Sequence, residues 1–175
     1  GGFILAPLLL QSIFALSVSA TSLVMLLRPG SFAITSPIGG SFATRRGERP
    51  VAMFGSATIA TALLLLGLGG TWDLLWLIAV GLVLQGIGNG TAQPTITATM
   101  SNSVAESDLG IAAAAQRMAF QGGSALGIST LTSIYGGTEE AADFLTAYLV
   151  GAGIATLALV AASMMRSTES EPLTH

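Results

Sequence analysis

Long apolar stretches dominate the chain, and short polar or glycine-rich breaks separate them. Charged residues and histidine are absent from residues 1–27, 50–72, 74–105 and 144–165. A helix needs about 20 residues to cross a hydrocarbon core about 30 Å thick. Each of these stretches is therefore long enough to hold a membrane-spanning helix.

The breaks divide the chain into six apolar segments, which we predict to be helices. The predicted helices cover about residues 2–14, 18–43, 51–69, 73–99, 109–135 and 139–165. They form one transmembrane domain over residues 1–166, and a polar cytoplasmic tail follows over residues 167–175. The first segment is shorter than a full span, so we expect the first helix to be truncated. The predicted fold is an all-α integral membrane protein, a six-helix transmembrane bundle.

Composition agrees with this fold and restricts the chemistry. Hydrophobic residues make up 51% of the chain and charged residues 9%, whereas soluble domains carry about 25% charged residues. There is no cysteine, and the only histidine is the last residue, His175. Disulfides, thiolate metal sites and histidine-based catalysis are thus excluded. We expect no cofactor and no metal, and no enzyme activity, because a serine nucleophile would find no His or Lys base in the bundle.

The arginines predict how the bundle is oriented. Arg45, Arg46 and Arg49 lie in the break between the second and third helices, and Arg166 follows the sixth. Positively charged loops stay on the cytoplasmic side, and a count of six helices puts both groups on one side. We predict a multi-pass protein of the cell (inner) membrane with a cytoplasmic C-terminus and lipid as its solvent. The arginines form no basic face, so nucleic acid is not an expected partner.

Glycines at four-residue spacing predict where helices approach each other. Gly86 and Gly90 have this spacing on the fourth helix, and Gly123 and Gly127 have it on the fifth. Helix association in lipid depends on close packing, which small residues allow. A nucleotide-binding loop is excluded, because that motif needs a glycine in place of Thr91 and a preceding strand.

Polar side chains recur at helical spacing on three of the predicted helices. They are Arg28, Ser31 and Thr35 on the second, Gln85, Asn89 and Gln93 on the fourth, and Arg117, Gln121 and Ser124 on the fifth. Residues at this spacing share a helix face. The faces could line a shared watery cavity, or the amides and hydroxyls could tie helices together, at about 0.6 kcal/mol per contact. The predicted substrate pathway consists of Arg28, Gln85, Asn89, Gln93, Arg117 and Gln121.

Arg28 favours the cavity interpretation. An arginine at the bilayer centre costs at least about 2.5 to 3.5 kcal/mol, and such residues usually face a cavity or a partner. Pro29 follows it, which predicts a kink there. Arg117 lies nearer the cytoplasmic end of its helix, where snorkelling is an equal alternative. No Asp or Glu lies in the interior of the predicted spans, so proton coupling would need an acid outside this chain.

Residues 39–50, GGSFATRRGERP, resemble the loop motif G-x-L-x-D-R-x-G-x-R of the major facilitator superfamily. The matching residues are Gly40, Arg45, Gly47 and Arg49. Phe42 stands in place of the leucine and Thr44 in place of the acid. In that family the motif joins the second and third helices of each half, which is its place here.

Other segments extend the resemblance over nearly the whole chain. LVLQGIGNGTAQP, residues 82–94, is similar to the R-x-x-Q-G-x-G signature of the fourth helix of a half, with Leu82 at the arginine position. Residues 111–130, IAAAAQRMAFQGGSALGIST, resemble the helix before last in the fourteen-helix drug:proton antiporters. LAPLLLQ, residues 5–11, followed by a helix containing Arg28-Pro29, resembles the same branch.

The resemblance implies the C-terminal half of a major facilitator fold, an inverted repeat of three plus three helices. It implies a secondary active transporter, most closely a proton-linked multidrug efflux antiporter working by alternating access. The implied partners are a missing N-terminal half of six or eight helices, an amphipathic small-molecule substrate, and a proton carried by residues outside this chain. The alternatives are a nutrient or metabolite facilitator or symporter of the same superfamily and, if this chain is the whole product, a non-transporting interaction or scaffold protein.

The resemblance also implies a role for the loop motif as a latch on the cytoplasmic side. In the family its acid caps a neighbouring helix and its arginines pair with nearby groups. We expect Arg45 or Arg49 to pair with Glu106 or Asp108 at the start of the fifth helix. The predicted cytoplasmic gate motif is Gly40, Thr44, Arg45, Gly47, Arg49, Glu106 and Asp108. Exposed pairs contribute only about 0 to 1 kcal/mol, which suits a latch that must open.

Overall fold

Residues 2–102, 104–135 and 141–164 are described by the computed structural model, and they lie almost entirely in helices and contain no strand. The helices are α1 Gly2–Ser12, α2 Val18–Met25, α3 Leu27–Arg46, α4 Glu48–Thr71, α5 Leu75–Asn102, α6 Leu109–Tyr135 and α7 Ala141–Met164. A short 3-10 helix, Glu106–Asp108, precedes α6. The predicted all-α fold is confirmed. The predicted tail, 167–175, and Arg166 lie outside the described residues.

The second predicted helix is divided in two by a break at Leu26. Pro29 has no backbone N–H, and its ring clashes with the carbonyl four residues earlier, which belongs to Met25. α2 accordingly ends at Met25, and α3 begins at Leu27 with Pro29 in its first turn, where a proline is tolerated. The Leu26 carbonyl accepts from Gly30 N–H at 3.0 Å. The kink predicted at Pro29 thus takes the form of a break three residues before it.

A single glycine connects α3 to α4. Gly47 has φ 84° and ψ 161°, a combination that is accessible almost only to glycine. Glu48 then opens α4, where its negative charge suits the positive end of the helix dipole. The tight reversal lets α3 and α4 run as neighbours.

The turn from α4 to α5 is a Schellman motif built around Asp73. Leu74 N–H donates to the Gly69 carbonyl and Trp72 N–H to the Leu68 carbonyl, both at 3.0 Å. The bond from Leu74 to Gly69 is the six-to-one hydrogen bond of this motif, and it satisfies a carbonyl of the last turn of α4. Asp73 occupies the left-handed position, φ 53°, that glycine normally fills.

α5 is the central helix, and it packs on α3 along one side and on α4 along another; α7 covers the outside of α4. Glycines allow both α3 and α4 to approach α5 closely. A Cβ atom at Gly39 of α3 would lie 2.7 Å from Thr91 Cα, and one at Gly88 of α5 would lie 2.8 Å from the Gly55 carbonyl oxygen of α4. Such distances leave no room for a methyl group, so the backbones are in direct contact.

The glycine pairs predicted for the two helices differ in their surroundings. Gly86 and Gly90 face α3, and the prediction that they pack is confirmed. Gly123 and Gly127 of α6 have open space within 4 Å of a Cβ position, as far as the described residues extend. α6 makes its largest contact with α7 and leaves most of its surface uncovered.

The apolar core lies between α1, α4, α5 and α7. Its largest fully buried side chains include Leu9, Leu66, Leu82, Phe144 and Tyr148. Three stretches of the described helices are long and apolar enough to cross a membrane: Val18–Arg45, Glu48–Thr71 and Leu75–Ser101. A shorter apolar helix spans Phe144–Val160. The chain therefore folds as an all-helical bundle of a multi-pass membrane protein.

Candidate substrate cavity

A cavity of about 580 Å³ opens beside the break between α2 and α3. Residues of α1, α2, α3 and α5 line it: Pro7, Gln11, Val18, Thr21, Ser22, Met25, Leu26, Arg28, Pro29, Phe32, Gly86, Asn89 and Gln93. Ligand pockets for small organic molecules commonly measure about 300 to 1,000 Å³. The volume suits a drug-sized molecule.

The first wall is formed by α1 and α2. Ser17 caps α2 by accepting a hydrogen bond from Ala20 N–H at 3.2 Å, which fixes where α2 begins. Thr21 follows one turn later; it is 3% exposed, and its Oγ1 has no hydrogen-bond partner among the described residues. Ser22 instead donates to the Val18 carbonyl at 2.8 Å. Thr21 is the one hydroxyl of this wall that is both buried and unsatisfied.

The second wall is the first turn of α3. Arg28 and Phe32 lie one turn apart on the same face and are both half-buried. Arg28 lies within the Val18–Arg45 stretch, which is long and apolar enough to span a membrane, and it lines the cavity. A charged residue in a membrane segment is tolerated where it faces a cavity.

The third wall is α5, where Gly86, Asn89 and Gln93 follow one another along the helix. Asn89 Nδ2 donates to the Gln85 carbonyl oxygen at 2.8 Å. This bond uses one amide hydrogen and leaves Asn89 an acceptor oxygen and a second donor. Gly86, without a side chain, allows α3 to approach α5 at the floor of the cavity.

Three of the six predicted pathway residues line the cavity, namely Arg28, Asn89 and Gln93. Gln85 does not; it is 5% exposed, and its Oε1 has no partner among the described residues. Arg117 and Gln121 are exposed on α6, away from the cavity lining. Their role in a pathway stays a prediction.

The residues of the polar face predicted for the second helix have two different surroundings, the cavity and the contact with α5. Arg28 lines the cavity, but Ser31 and Thr35 pack directly on Gly86 and Gly90 of α5. Ser31 Oγ donates to the Leu27 carbonyl and Thr35 Oγ1 to the Ser31 carbonyl, both at 2.7 Å. Hydroxyls that are satisfied within their own helix can be buried in a helix contact at little cost. Of the two interpretations left open for this face, helix packing therefore applies to Ser31 and Thr35, and the cavity applies to Arg28.

Several lining residues lie outside the polar helix faces that the sequence predicts. Gln11 and Thr21 come from α1 and α2, and Phe32 is an aromatic residue on a face otherwise interpreted as polar. One sequence feature points to them: Arg28-Pro29 breaks the helix, and a break places the residues before it at a new angle to α5.

The gate motif surrounds the α3–α4 turn, with Arg45 and Arg49 exposed on its two sides. Gly40 lies not in the turn but in the α3–α5 contact, where its Cβ position is 3.9 Å from Pro94 Cβ. Thr44 Oγ1 donates to the Ser41 carbonyl of its own helix at 2.9 Å. Thr44 thus bonds within its own helix and to no neighbouring helix among the residues that the structure describes.

Glu106 and Asp108 are exposed in and beside the 3-10 turn that precedes α6. Asp108 Oδ1 accepts from Ser107 Oγ at 3.3 Å. Arg45 and Arg49 form no ion pair with these two acids in the described part of the chain. The pairing stays a prediction.

A bundle of membrane-length helices with an open, drug-sized cavity, lined by one arginine and several amides among apolar groups, is typical of a membrane transport domain. The sequence model of the Major Facilitator Superfamily matches residues 2–174. The chain belongs to the Major Facilitator Superfamily, and the resemblance inferred from the loop motif is confirmed.

A tetracycline resistance determinant of Streptomyces rimosus is 31% identical over 129 residues. The match covers 73% of this chain and 37% of that protein, so the chain spans little more than a third of its relative's length. No solved structure gives a significant match. Membership of this superfamily favours a transporter over an enzyme.

Proposed function

We propose that the chain is the C-terminal half of a proton-linked efflux antiporter for amphipathic drug-like compounds, which works by alternating access in the cell (inner) membrane. The observation that carries the proposal is the cavity beside Leu26, in which Arg28, Asn89, Gln93 and a few other polar side chains lie among apolar ones. A few polar groups in an apolar pocket are typical of a site that orients an organic molecule. The similarity to a tetracycline resistance determinant supports the proposal, since export of a drug from the cell is one way to confer resistance to it.

The uncovered surface of α6 supports a missing second half. Ile111, Met118, Phe120 and Leu126 are each at least 65% exposed, and Arg117 and Gln121 are exposed beside them. Lipid is a poor environment for Arg117 and Gln121, whereas a facing bundle could enclose them together with the glycines of α6. In the proposed transporter these two residues complete the pathway from the other side.

Alternating access requires two bundles that rock about a shared site. The α3–α4 turn supplies the proposed latch, in which Arg45 or Arg49 pairs with Glu106 or Asp108 in one state and releases it in the other. The arginines of this turn also favour the cytoplasmic side for it, and hence for the C-terminus.

Coupling to protons is proposed to reside in the other half. The cavity lining contains no acid, and Arg28 does not release its proton at any physiological pH. In this proposal, the group that changes charge during the cycle is supplied by residues beyond this chain.

The test is transport by the complete protein in proteoliposomes with an imposed proton gradient and tetracycline as the probe. We expect uphill accumulation that collapses with the gradient, and loss of most of it in Arg28→Ala. Thr61→Ala is the matched control, since Thr61 is exposed on α4 and bonds only its own helix, to the Ala57 carbonyl at 3.0 Å. Equilibration without accumulation would favour a facilitator. No movement of tetracycline or of other amphipathic compounds by the folded protein would favour a scaffold role.

A further inference from the structure

Three residues that line the cavity end in a carboxamide. Gln11 lies on α1, and Asn89 and Gln93 lie one turn apart on α5. A carboxamide is uncharged and offers two donor hydrogens and an acceptor oxygen. Because the three residues belong to two walls, a molecule in the cavity has amide groups on more than one side.

These carboxamides keep hydrogen-bonding capacity for a ligand. Gln11 and Gln93 are exposed, and their side chains form no hydrogen bond with any other described residue. Asn89 is half-buried and donates one amide hydrogen to the Gln85 carbonyl oxygen at 2.8 Å. That bond leaves Asn89 an acceptor oxygen and a second donor. Each of the three can therefore both donate to a ligand and accept from it.

The charges around the cavity disfavour an ionic ligand. The described lining contains no acid, so a cation would find no counter-ion in it and would lie beside the positive charge of Arg28. Arg28 already takes part in an interaction of its own, and an anion would have to compete with that interaction. Removing a charged group from water is costly without a partner of opposite charge. An uncharged polar ligand avoids this cost.

The apolar part of the lining suits a hydrocarbon body. Val18, Met25, Leu26 and Phe32 supply aliphatic, thioether and aromatic surface. Met side chains adapt to irregular shapes. A ligand that matches the whole lining is therefore an apolar molecule with uncharged donors and acceptors on it.

We propose that this cavity selects uncharged amphipathic compounds that carry hydrogen-bond donors and acceptors together, such as amides, and that the carboxamides of Gln11, Asn89 and Gln93 recognise them. The inference rests on the proposed function, because it names the substrate class of that same site. A carboxamide pairs with another amide as donor and acceptor at once, which neither an amine cation nor a carboxylate can do.

The test uses three probes that share a scaffold and differ in one group: phenylbutanamide, phenylbutyrate and phenylbutylamine. Their binding to the purified complete protein in lipid nanodiscs is measured by saturation-transfer NMR titration, and empty nanodiscs give the contribution of the lipid. We expect the amide to bind about tenfold more tightly than either ion. Two net hydrogen bonds, each contributing about threefold, account for that ratio.

Variants show whether the carboxamides are responsible. Methionine has about the length of glutamine and lacks its amide, so Gln11→Met and Gln93→Met should each lower the preference for phenylbutanamide about threefold. The double variant should remove most of it. Gln116→Met is the matched control and should change nothing, because Gln116 lies on α6, outside the lining, and its amide donates to Thr97 Oγ1 at 3.3 Å.

A charge change at one of these positions gives a second readout that altered packing would not produce. Gln93→Glu places an acid in the lining and should shift the preference toward phenylbutylamine. Gln93 is exposed, so this variant also serves if the double methionine variant does not fold.

The outcomes distinguish this inference from the proposed function. Tetracycline transport combined with equal binding of the probes, with tighter binding of phenylbutyrate, or with an amide preference that survives the double variant would overturn the inference alone. An amide preference in a folded protein that transports nothing would overturn the proposed function alone. Failure of the folded protein both to bind any probe and to transport tetracycline would overturn the two proposals together.

Discussion

Ser31 of α3 lies over Gly86 of α5 and occupies the space that any side chain at Gly86 would need. The Ser31 hydroxyl donates to the Leu27 carbonyl of its own helix at 2.7 Å. The hydroxyl is therefore satisfied and acts as a packing group. Thr35 and Gly90 repeat the arrangement one turn further along both helices. These two contacts join α3 to α5 at the floor of the cavity.

Gly86→Ala should destabilise the bundle, because the new methyl group would meet the Ser31 hydroxyl and the Arg28 carbonyl oxygen at once. Overpacking of this kind typically costs about 1 to 3 kcal/mol. The measurement is loss of the helical circular dichroism signal in an SDS titration of the purified protein. Gly30→Ala is the control, since no described atom lies within 4 Å of its Cβ position. Equal stability of the two variants would contradict the close contact.

Gly47→Ala should destabilise the α3–α4 turn for a different reason. No described atom lies within 4 Å of a Cβ atom at Gly47, so there is room for the methyl group. The obstacle is the backbone, at φ 84° and ψ 161°, a conformation that costs other residues about 1 to 3 kcal/mol.

The same SDS titration measures the effect at Gly47. Gly110→Ala on α6 is the comparison, because its Cβ position is equally open and its backbone is helical. That variant should be unchanged or gain up to about 1 kcal/mol from helix propensity. A Gly47→Ala protein as stable as Gly110→Ala would show that the turn adapts.

Asp73→Gly should stabilise the protein. Asp73 holds the left-handed position of the Schellman motif, φ 53°, which glycine adopts without a steric penalty, for a gain of about 1 kcal/mol. Its charge lies between the negative end of α4 and the positive end of α5, which begins at Leu75, so the effects of the two helix dipoles oppose each other there. Asp73→Asn removes the charge and keeps a side chain in this conformation, so its melting temperature should be close to that of the wild type. Thermal unfolding followed by circular dichroism should place Asp73→Gly above both; a drop for Asp73→Gly would refute the account.

The sequence predicts the helices and their close contacts better than it predicts the cavity. Gly86 and Gly90 could be identified because a four-residue spacing of small residues has one common physical use in lipid. Ser31 and Thr35 could not be assigned, since a hydroxyl facing water and a hydroxyl bonded to its own helix follow the same spacing. Arg28 could be placed beside a cavity, because a charged residue in a membrane segment usually faces a cavity or a partner.

Because of the break at Leu26, the sequence does not predict that α1 and α2 form a wall of the cavity. Pro29 predicts a kink, but the direction in which α2 turns depends on what it packs against. Gln11 and Thr21 line the same cavity as Asn89 and Gln93, a placement that depends on how α1 and α2 pack. The position of α6 relative to a second half depends in the same way on residues outside this chain.

The latch can be tested by distance, because the chain contains no cysteine and spin labels can be placed at chosen sites. Labels at Thr44→Cys and Ser107→Cys leave Arg45 and Asp108 intact beside them. If the pair forms in one state of the transport cycle, pulsed electron resonance on the complete protein, with its other cysteines removed, should give a short and a long distance. Their proportions should change when substrate is added.

Arg45→Gln should depopulate the short distance between these labels, and Asp108→Arg combined with Arg45→Asp should restore it. The shift should be modest, because an exposed pair contributes about 0 to 1 kcal/mol, less than a factor of ten in population. Labels at Thr44→Cys and Trp72→Cys, near opposite ends of the α3–α4 hairpin, should give one unchanging distance in every variant. A single long distance between positions 44 and 107, with and without substrate and in wild type and Arg45→Gln alike, would rule out the latch.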